Sequence, residues 1–242
     1  ALRGGEDHPR WRQLWDLCLV VGSLVPALLL GVAFANIFQG LPIDAQGVYQ
    51  GTLFTLLNPY GLLGGVLFVL LFMVHGSIWG AIKTEQEVQR RSVEVAQKMW
   101  WLLLIAAVMF LLASLRKTDL YANYFSRPIL FVIPALAVGA LILIKYILNQ
   151  QRYWSAWFAS AATIVSCTLF GVVGLYPRLL PSSLDPAASL TAFNSASSPL
   201  TLKIMLGVAL TFVPLVIAYQ IWAHYVFRTR LSKEDLAYEE GY

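Results

Sequence analysis

Charge is what this sequence has least of. Only 12% of its 242 residues are Asp, Glu, Lys or Arg, against about 25% in ordinary soluble domains. Hydrophobic residues reach 58%, and mean hydropathy is +0.67. These figures exclude a water-soluble domain, because too little polar surface is available to cover it. Cysteine occurs only twice, at Cys18 and Cys167. Both lie in apolar stretches without CxxC, CxxCH or zinc spacing, so a disulfide framework or a thiolate metal site is excluded; two small buried residues are expected. Only three histidines occur, His8, His75 and His224. Walker, GxGxxG, HExxH and nucleophile-elbow signatures are absent, which removes the common phosphate-binding and hydrolytic classes. No internal repeat or low-complexity segment stands out.

What the chain does have is long apolar runs. Six are read, at residues 15–38, 60–82, 99–115, 128–148, 154–176 and 202–227, each within or near the roughly 17–25 residues a spanning helix needs. The run at 60–82 holds 23 residues without a charge; at about 1.5 Å each it measures roughly 34 Å, enough for a bilayer core of about 30 Å. It ends abruptly at Lys83 and Glu85. The sequence therefore predicts an all-α, polytopic transmembrane bundle of six spanning helices, forming one domain over residues 1–242. Pro26, Pro134 and Pro214 fall inside three of the runs and are expected as tolerated kinks. The opening ALRGGEDHPRWRQ is polar and lacks the charged head and apolar body of a signal peptide.

The basic residues set the orientation. The pI is near 9.1, yet the cations flank apolar runs rather than form a patch, so a nucleic-acid partner is excluded. Twelve of the 17 fall on one side: Arg3, Arg10, Arg12, Lys83, Arg90, Arg91, Lys98, Lys145, Arg152, Arg228, Arg230 and Lys233. Arg116, Lys117, Arg127, Arg178 and Lys203 fall on the other. By the positive-inside rule both termini of the chain are cytoplasmic. The charged stretch KTEQEVQRRSVEVAQK, without glycine or proline, is expected to extend its flanking helices as a hairpin. Trp15, Tyr60, Trp79, Trp100, Trp101, Tyr121, Tyr124 and further aromatics near span ends are expected to form interfacial belts.

On the second span, Gly61, Gly65, Gly76 and Gly80 fall within one 100° sector of a helical wheel. Small-xxx-small pairs let backbones approach closely in lipid, so the four are expected to form one packing seam. His75 borders the sector. As an intramembrane ionisable residue it is a functional candidate by default, set against a plain packing or hydrogen-bonding role. Asp16 is the only carboxylate at the cytoplasmic edge of a span; it is a candidate mouth of a proton path, set against a helix cap or a pairing with Arg12. Asn36, with Gln39 and Gln220, needs a partner in lipid and is a candidate polar cluster.

Several separated motifs carry a resemblance: RWRQLWD (10–16), GVAFANIFQGLPID (31–44), NPYGLLGG (58–65), HGSIWGAIKTE (75–85) and SSPLTLKIM (197–205). In this order they resemble subunit II of the cytochrome bd quinol oxidases, over essentially the whole chain. The resemblance implies a subunit of a complex in a bacterial plasma membrane that oxidises quinol, reduces oxygen to water and adds to the proton-motive force. It implies that haem b and haem d, and the quinol-oxidising loop, belong to a partner, subunit I, and that this chain binds no cofactor or metal itself. Family members carry further helices upstream of the RWRQLWD-like segment, so the chain is expected to be a C-terminal portion of the subunit. The competing class is a transporter, which inverted repeats, matched broken helices or mid-membrane charges would favour.

Overall fold

The computed structural model describes residues 8–229. Arg3, Arg230 and Lys233, three of the basic residues counted above, lie outside the described residues. Among the described residues six helices are long and apolar enough to cross a membrane, the fourth of them together with the 3₁₀ turn that precedes it. They are α1 (Pro9–Gln39), α3 (Pro59–Lys83), α4 (Gln86–Lys117), α6 (Val132–Asn149), α7 (Tyr153–Leu175) and α8 (Pro199–Val226), with two short helices, α2 (Leu53–Leu56) and α5 (Ala122–Ser126). The architecture is all-α, with one two-stranded antiparallel ribbon, β1 (Arg178–Leu180) and β2 (Leu190–Thr191).

Three of the long helices start with the same device. His8-Pro9, Asn58-Pro59 and Ser198-Pro199 each place a capping side chain before a proline at the first helical position. The cap accepts a backbone N–H that has no intrahelical partner, and proline sacrifices no hydrogen bond there. The helices overrun the apolar runs: α1 holds 31 residues and α4 holds 32, roughly 46–48 Å at about 1.5 Å per residue. Pro134 sits in the first turn of α6, just after a 3₁₀ turn over Pro128–Phe131. Its missing N–H therefore costs no internal bond, and the run at 128–148 is split rather than kinked. Pro26 and Pro214 do lie within helices.

The α3–α4 hairpin is the centre of the bundle. It turns over Thr84 and Glu85, where Thr84 N–H and Oγ1 both donate to Gly80 O. Gln89 Nε2 donates to Ala81 O at 2.8 Å across the turn, and Arg90–Glu94 (2.8 Å) and Arg91–Glu87 pair along α4. Val74, Ile78, Ala81, Ala96 and Leu103 are almost fully buried. α1 packs on α3, the α6–α7 hairpin packs on α3 and α4, and α8 has no buried residue. Its exposed apolar surface suits hydrocarbon rather than water.

Several aromatics expected at the interfaces are core residues. Tyr60, Trp100 and Tyr124 are 5%, 5% and 0% exposed. Each polar atom finds a partner inside: Tyr60 OH meets Ser114 Oγ, Trp100 Nε1 donates to Leu141 O and Tyr124 OH donates to Phe170 O, all at 2.8 Å. Burial of an amphipathic ring is stable when its polar tip is bonded. Of the two cysteines, expected as buried, Cys18 is exposed on the apolar outside of α1 and Cys167 is intermediate.

The loops at the end opposite the charged hairpin are knitted together. Leu41 N–H donates to Pro181 O and Ser183 N–H to Leu41 O, both at 2.8 Å, and Ser182 Oγ donates to Ile43 O at 2.6 Å. Ser182 and Ser189 are buried in this cap. Asp44 folds its own loop by accepting Gln46 N–H and Val48 N–H, with Gln50 Nε2 on its other oxygen. Chiefly the Val48 hydrogen bond holds its carboxyl below the usual 3.8.

Candidate functional site

His75 lies eight residues before Lys83 on α3, about 12 Å along the axis from the charged end. Its neighbours come from α7. Nδ1 lies 2.7 Å from Ser160 Oγ, and the ring sits 5.1 Å from that of Trp157, centroid to centroid. Ser160 has one hydroxyl hydrogen, and Trp157 O lies 2.8 Å away as an acceptor for it. With that hydrogen on Trp157 O, the serine oxygen accepts from His75 Nδ1–H and Nε2 keeps its lone pair; with it on His75 Nδ1, the tautomer reverses. The arrangement pins α3 to α7 through a small polar residue, and in the first tautomer Nε2 can take up a proton.

One turn further on, Trp79 gathers the charged end. Its ring lies 5.8 Å from Trp157, 5.9 Å from Trp154 and 5.5 Å from His224 of α8, with Lys83 Nζ 5.3 Å over its face. Lys83 Nζ also donates to Phe227 O. This is the join between the end of α8 and the rest of the bundle, and it combines cation–π and aromatic contacts. His224 itself is exposed, and His8 is the cap of α1.

Asn36 forms the second polar cluster, at the opposite end. It is 4% exposed and donates to Val32 O (2.7 Å) and Leu56 O (2.8 Å). Its Oδ1 accepts from Asn58 Nδ2 at 2.8 Å, and Asn58 Oδ1 in turn accepts Gly61 N–H. The amide is thus bonded through both ends, locking α1 to the start of α3. Asp16 is in the first turns of α1 and exposed. Gln39 is half-buried and Gln220 exposed, both apart from Asn36's bonds. Among the described residues no group of three His, Cys, Asp or Glu is placed to hold a metal ion.

The four glycines do not share one surface. A Cβ at Gly61 would meet Leu56 O at 2.5 Å and Asn36 Nδ2 at 2.7 Å, and one at Gly65 would meet Leu28 O at 2.9 Å. Both face α1. Gly80 faces Ser92 of α4 at 3.1 Å, and Gly76 has nothing within 4 Å. The closest approach instead pairs Gly31 with Gly64, where a Cβ on Gly31 would fall 2.4 Å from Gly64 O. Beyond that crossing α1 leaves α3, as the exposure of Leu17 (58%), Val20 (60%) and Val21 (47%) shows. A wheel places side chains around one axis but does not say where two axes diverge, so Gly76 is left in the open.

Ser160, Ser114 and Asn58 carry the buried bonds and were not singled out beforehand. Small hydroxyl residues inside apolar spans, and an Asn-Pro before one, are the signals that mark them.

Comparison with known proteins follows the same outline. The sequence model of one family, described as cytochrome bd terminal oxidase subunit II, matches residues 1–227. The chain is 33% identical over 237 residues to the cytochrome bd ubiquinol oxidase subunit 2 of Bacillus subtilis, covering 98% of this chain and 70% of that protein. It is 35% identical to a probable cytochrome oxidase subunit 2 of Haemophilus influenzae, covering 92% of this chain and 67% of that one. Among solved structures, the bd oxidase from Geobacillus thermodenitrificans superposes with a TM-score of 0.69 at 12% identity, which speaks for the fold. That match covers 89% of this chain and 65% of the other, so the chain spans about two thirds of the length of the proteins it resembles. None of these likenesses supports a transporter.

Proposed function

The chain belongs to the cytochrome bd terminal oxidase subunit II family, and from that premise we propose that it is the haem-free subunit of a quinol:oxygen oxidoreductase in a bacterial plasma membrane. The complex oxidises quinol, reduces oxygen to water and adds to the proton-motive force. Haem b and haem d belong to subunit I, with which this chain forms a hetero-oligomer. The observation that carries the reading is the family match across residues 1–227.

The side chains are consistent with a supporting role. Asn36, Tyr60, Trp100 and Ser160 each make a hydrogen bond to a neighbouring element of this chain. Such bonds fix helix positions in lipid, where no water is available to satisfy them. His75 serves first as a positioning residue between α3 and α7, because Nδ1 is committed to Ser160. The twelve-to-five basic bias supports cytoplasmic termini, with the charged hairpin inside and the knitted loops outside.

The test is a tagged copy of the chain recovered from native membranes in mild detergent. A second, haem-bearing polypeptide is expected to come with it, and the sample should consume oxygen when given quinol. Recovery without a haem-bearing partner, with the chain itself folded, overturns the proposal. His75→Ala refines it: a positioning role lowers assembly and oxygen uptake per haem together, or barely changes either. Full assembly with slow turnover would show instead that Nε2 carries protons.

A further inference from the structure

An apolar groove of about 480 Å³ runs along the bundle. One wall is α1, with Phe34 and Ala35; the floor is the α3–α4 hairpin, with Leu67 and Phe110; the other wall is α6–α7, with Ala137 and Ile164. Its volume falls within the roughly 300–1,000 Å³ typical of small-molecule sites. The hydroxyls in the wall are already committed, Thr163 to Ala159 O and Thr168 to Ile164 O. A space so lined offers water no partners and stays dry. Left empty, it would deprive its lining of dispersion contacts on one side. Phe34 (36%) and Val138 (42%), both in its lining, remain exposed at its open side.

The groove is not apolar throughout. Arg178 and Leu179, from β1 in the knitted loops, line its end. Arg178 Nη2 lies 3.5 Å from Asp119 Oδ2, a carboxylate whose side chain is 79% exposed. A long, exposed pair of this kind binds weakly. The guanidinium thus keeps N–H donors that match a phosphate diester, which it can grip with two bonds at once. A cation at the membrane surface continuous with a long apolar slot is complementary to one kind of molecule abundant in a bilayer.

We propose that this groove is a phospholipid site, with one acyl chain lying between α1 and α6–α7 and the phosphate held by Arg178. The chain replaces the missing contacts between α1 and α7, and the headgroup is fixed beside the knitted loops. The site belongs to the geometry of this chain and does not depend on the redox reading above.

The test counts phospholipid. The assembled complex is purified in detergent, washed extensively and extracted, and phospholipid and isoprenoid quinone are both measured per copy of this chain by mass spectrometry. Wild type is expected to retain phospholipid, and Arg178→Gln and Ala137→Trp, which fills the groove, should each lower it at least twofold. If Ala137→Trp does not assemble, Arg178→Gln decides. Equal retention in wild type and Arg178→Gln overturns the proposal. So does an extract in which quinone, rather than phospholipid, is the molecule lost on substitution. The count is made whether or not the sample turns over, so it fails or succeeds separately from the oxidase assignment.

Discussion

Replacing Gly64 by alanine adds one methyl group at the crossing of α1 over α3. That carbon would sit 2.5 Å from Ala35 Cβ, 2.9 Å from Gly31 O and 3.3 Å from Phe110 Cε2. Carbon atoms prefer about 3.5–4.0 Å, so α1 must retreat by roughly 1 Å. Two of the obstructing atoms are backbone or Cβ and cannot rotate away. Overpacking of this kind costs about 1–3 kcal/mol, while alanine recovers up to about 1 kcal/mol of helix propensity. With the propensity gain counted in full, the net expectation is a loss of up to about 2 kcal/mol. At roughly 2–4 °C per kcal/mol for a chain of this size, the midpoint should fall by up to about 8 °C. Gly76→Ala makes no contact within 4 Å and keeps only the propensity gain, so its midpoint should hold or rise slightly. The assay is thermal unfolding of the assembled, fluorescently tagged complex, followed by size-exclusion chromatography after heating steps. Equal losses for the two variants would refute the split of the glycines into a contact set and an open one.

Asn36→Ala removes the acceptor of Asn58 Nδ2 and leaves Leu56 O unbonded. A loss of about 1–3 kcal/mol is expected, read as a lower midpoint in the same assay, whereas a neutral result would mean water replaces the amide. For orientation, cysteines placed at the exposed positions Gln46 and Ala187 should react with an impermeant maleimide in intact cells, and one at Arg90 should not. Labelling at Arg90 would invert the topology. Asp44 accepts its three donors as a carboxylate, with its carboxyl held below 3.8. Its support of the loop is therefore present above about pH 4 and fades as the pH drops through the lowered value. Proteolysis of residues 41–58 should rise at pH 3 relative to pH 6 in wild type, and be high at both in Asp44→Ala.

Hydropathy and charge count found the six spans because they depend on composition alone, and composition survives folding unchanged. The caps at Asn58-Pro59 and Ser198-Pro199 act within one turn of chain, so their signal is local, although neither was read as a helix start from the sequence. What depends on two helices at once was harder. The wheel grouped Gly76 with Gly61 and Gly65, but α1 crosses α3 near Gly31 and then departs, and no property of α3 alone records that. Tyr60 and Trp100 lie at the ends of apolar runs, as interfacial rings do. They are buried because Ser114 and Leu141 O come from other helices to meet their polar tips. His75 was found as an ionisable group in a span, yet its tautomer depends on Ser160, 85 positions away in sequence. The join between the loops likewise rests on backbone bonds at Leu41 and on the Ser182 hydroxyl reaching Ile43 O, 139 positions away, which no local sequence signature records.

The measurement that bears most directly on the account is where the haem resides. The complex recovered through a tag on this chain is reduced, its difference spectrum recorded, and its subunits then separated under conditions that keep haem bound. The account predicts haem b and haem d signals from the complex, with all haem following the partner polypeptide and none remaining on this chain. About one haem per copy of the separated, folded chain, or loss of a haem in His75→Ala with the subunits still associated, would contradict it.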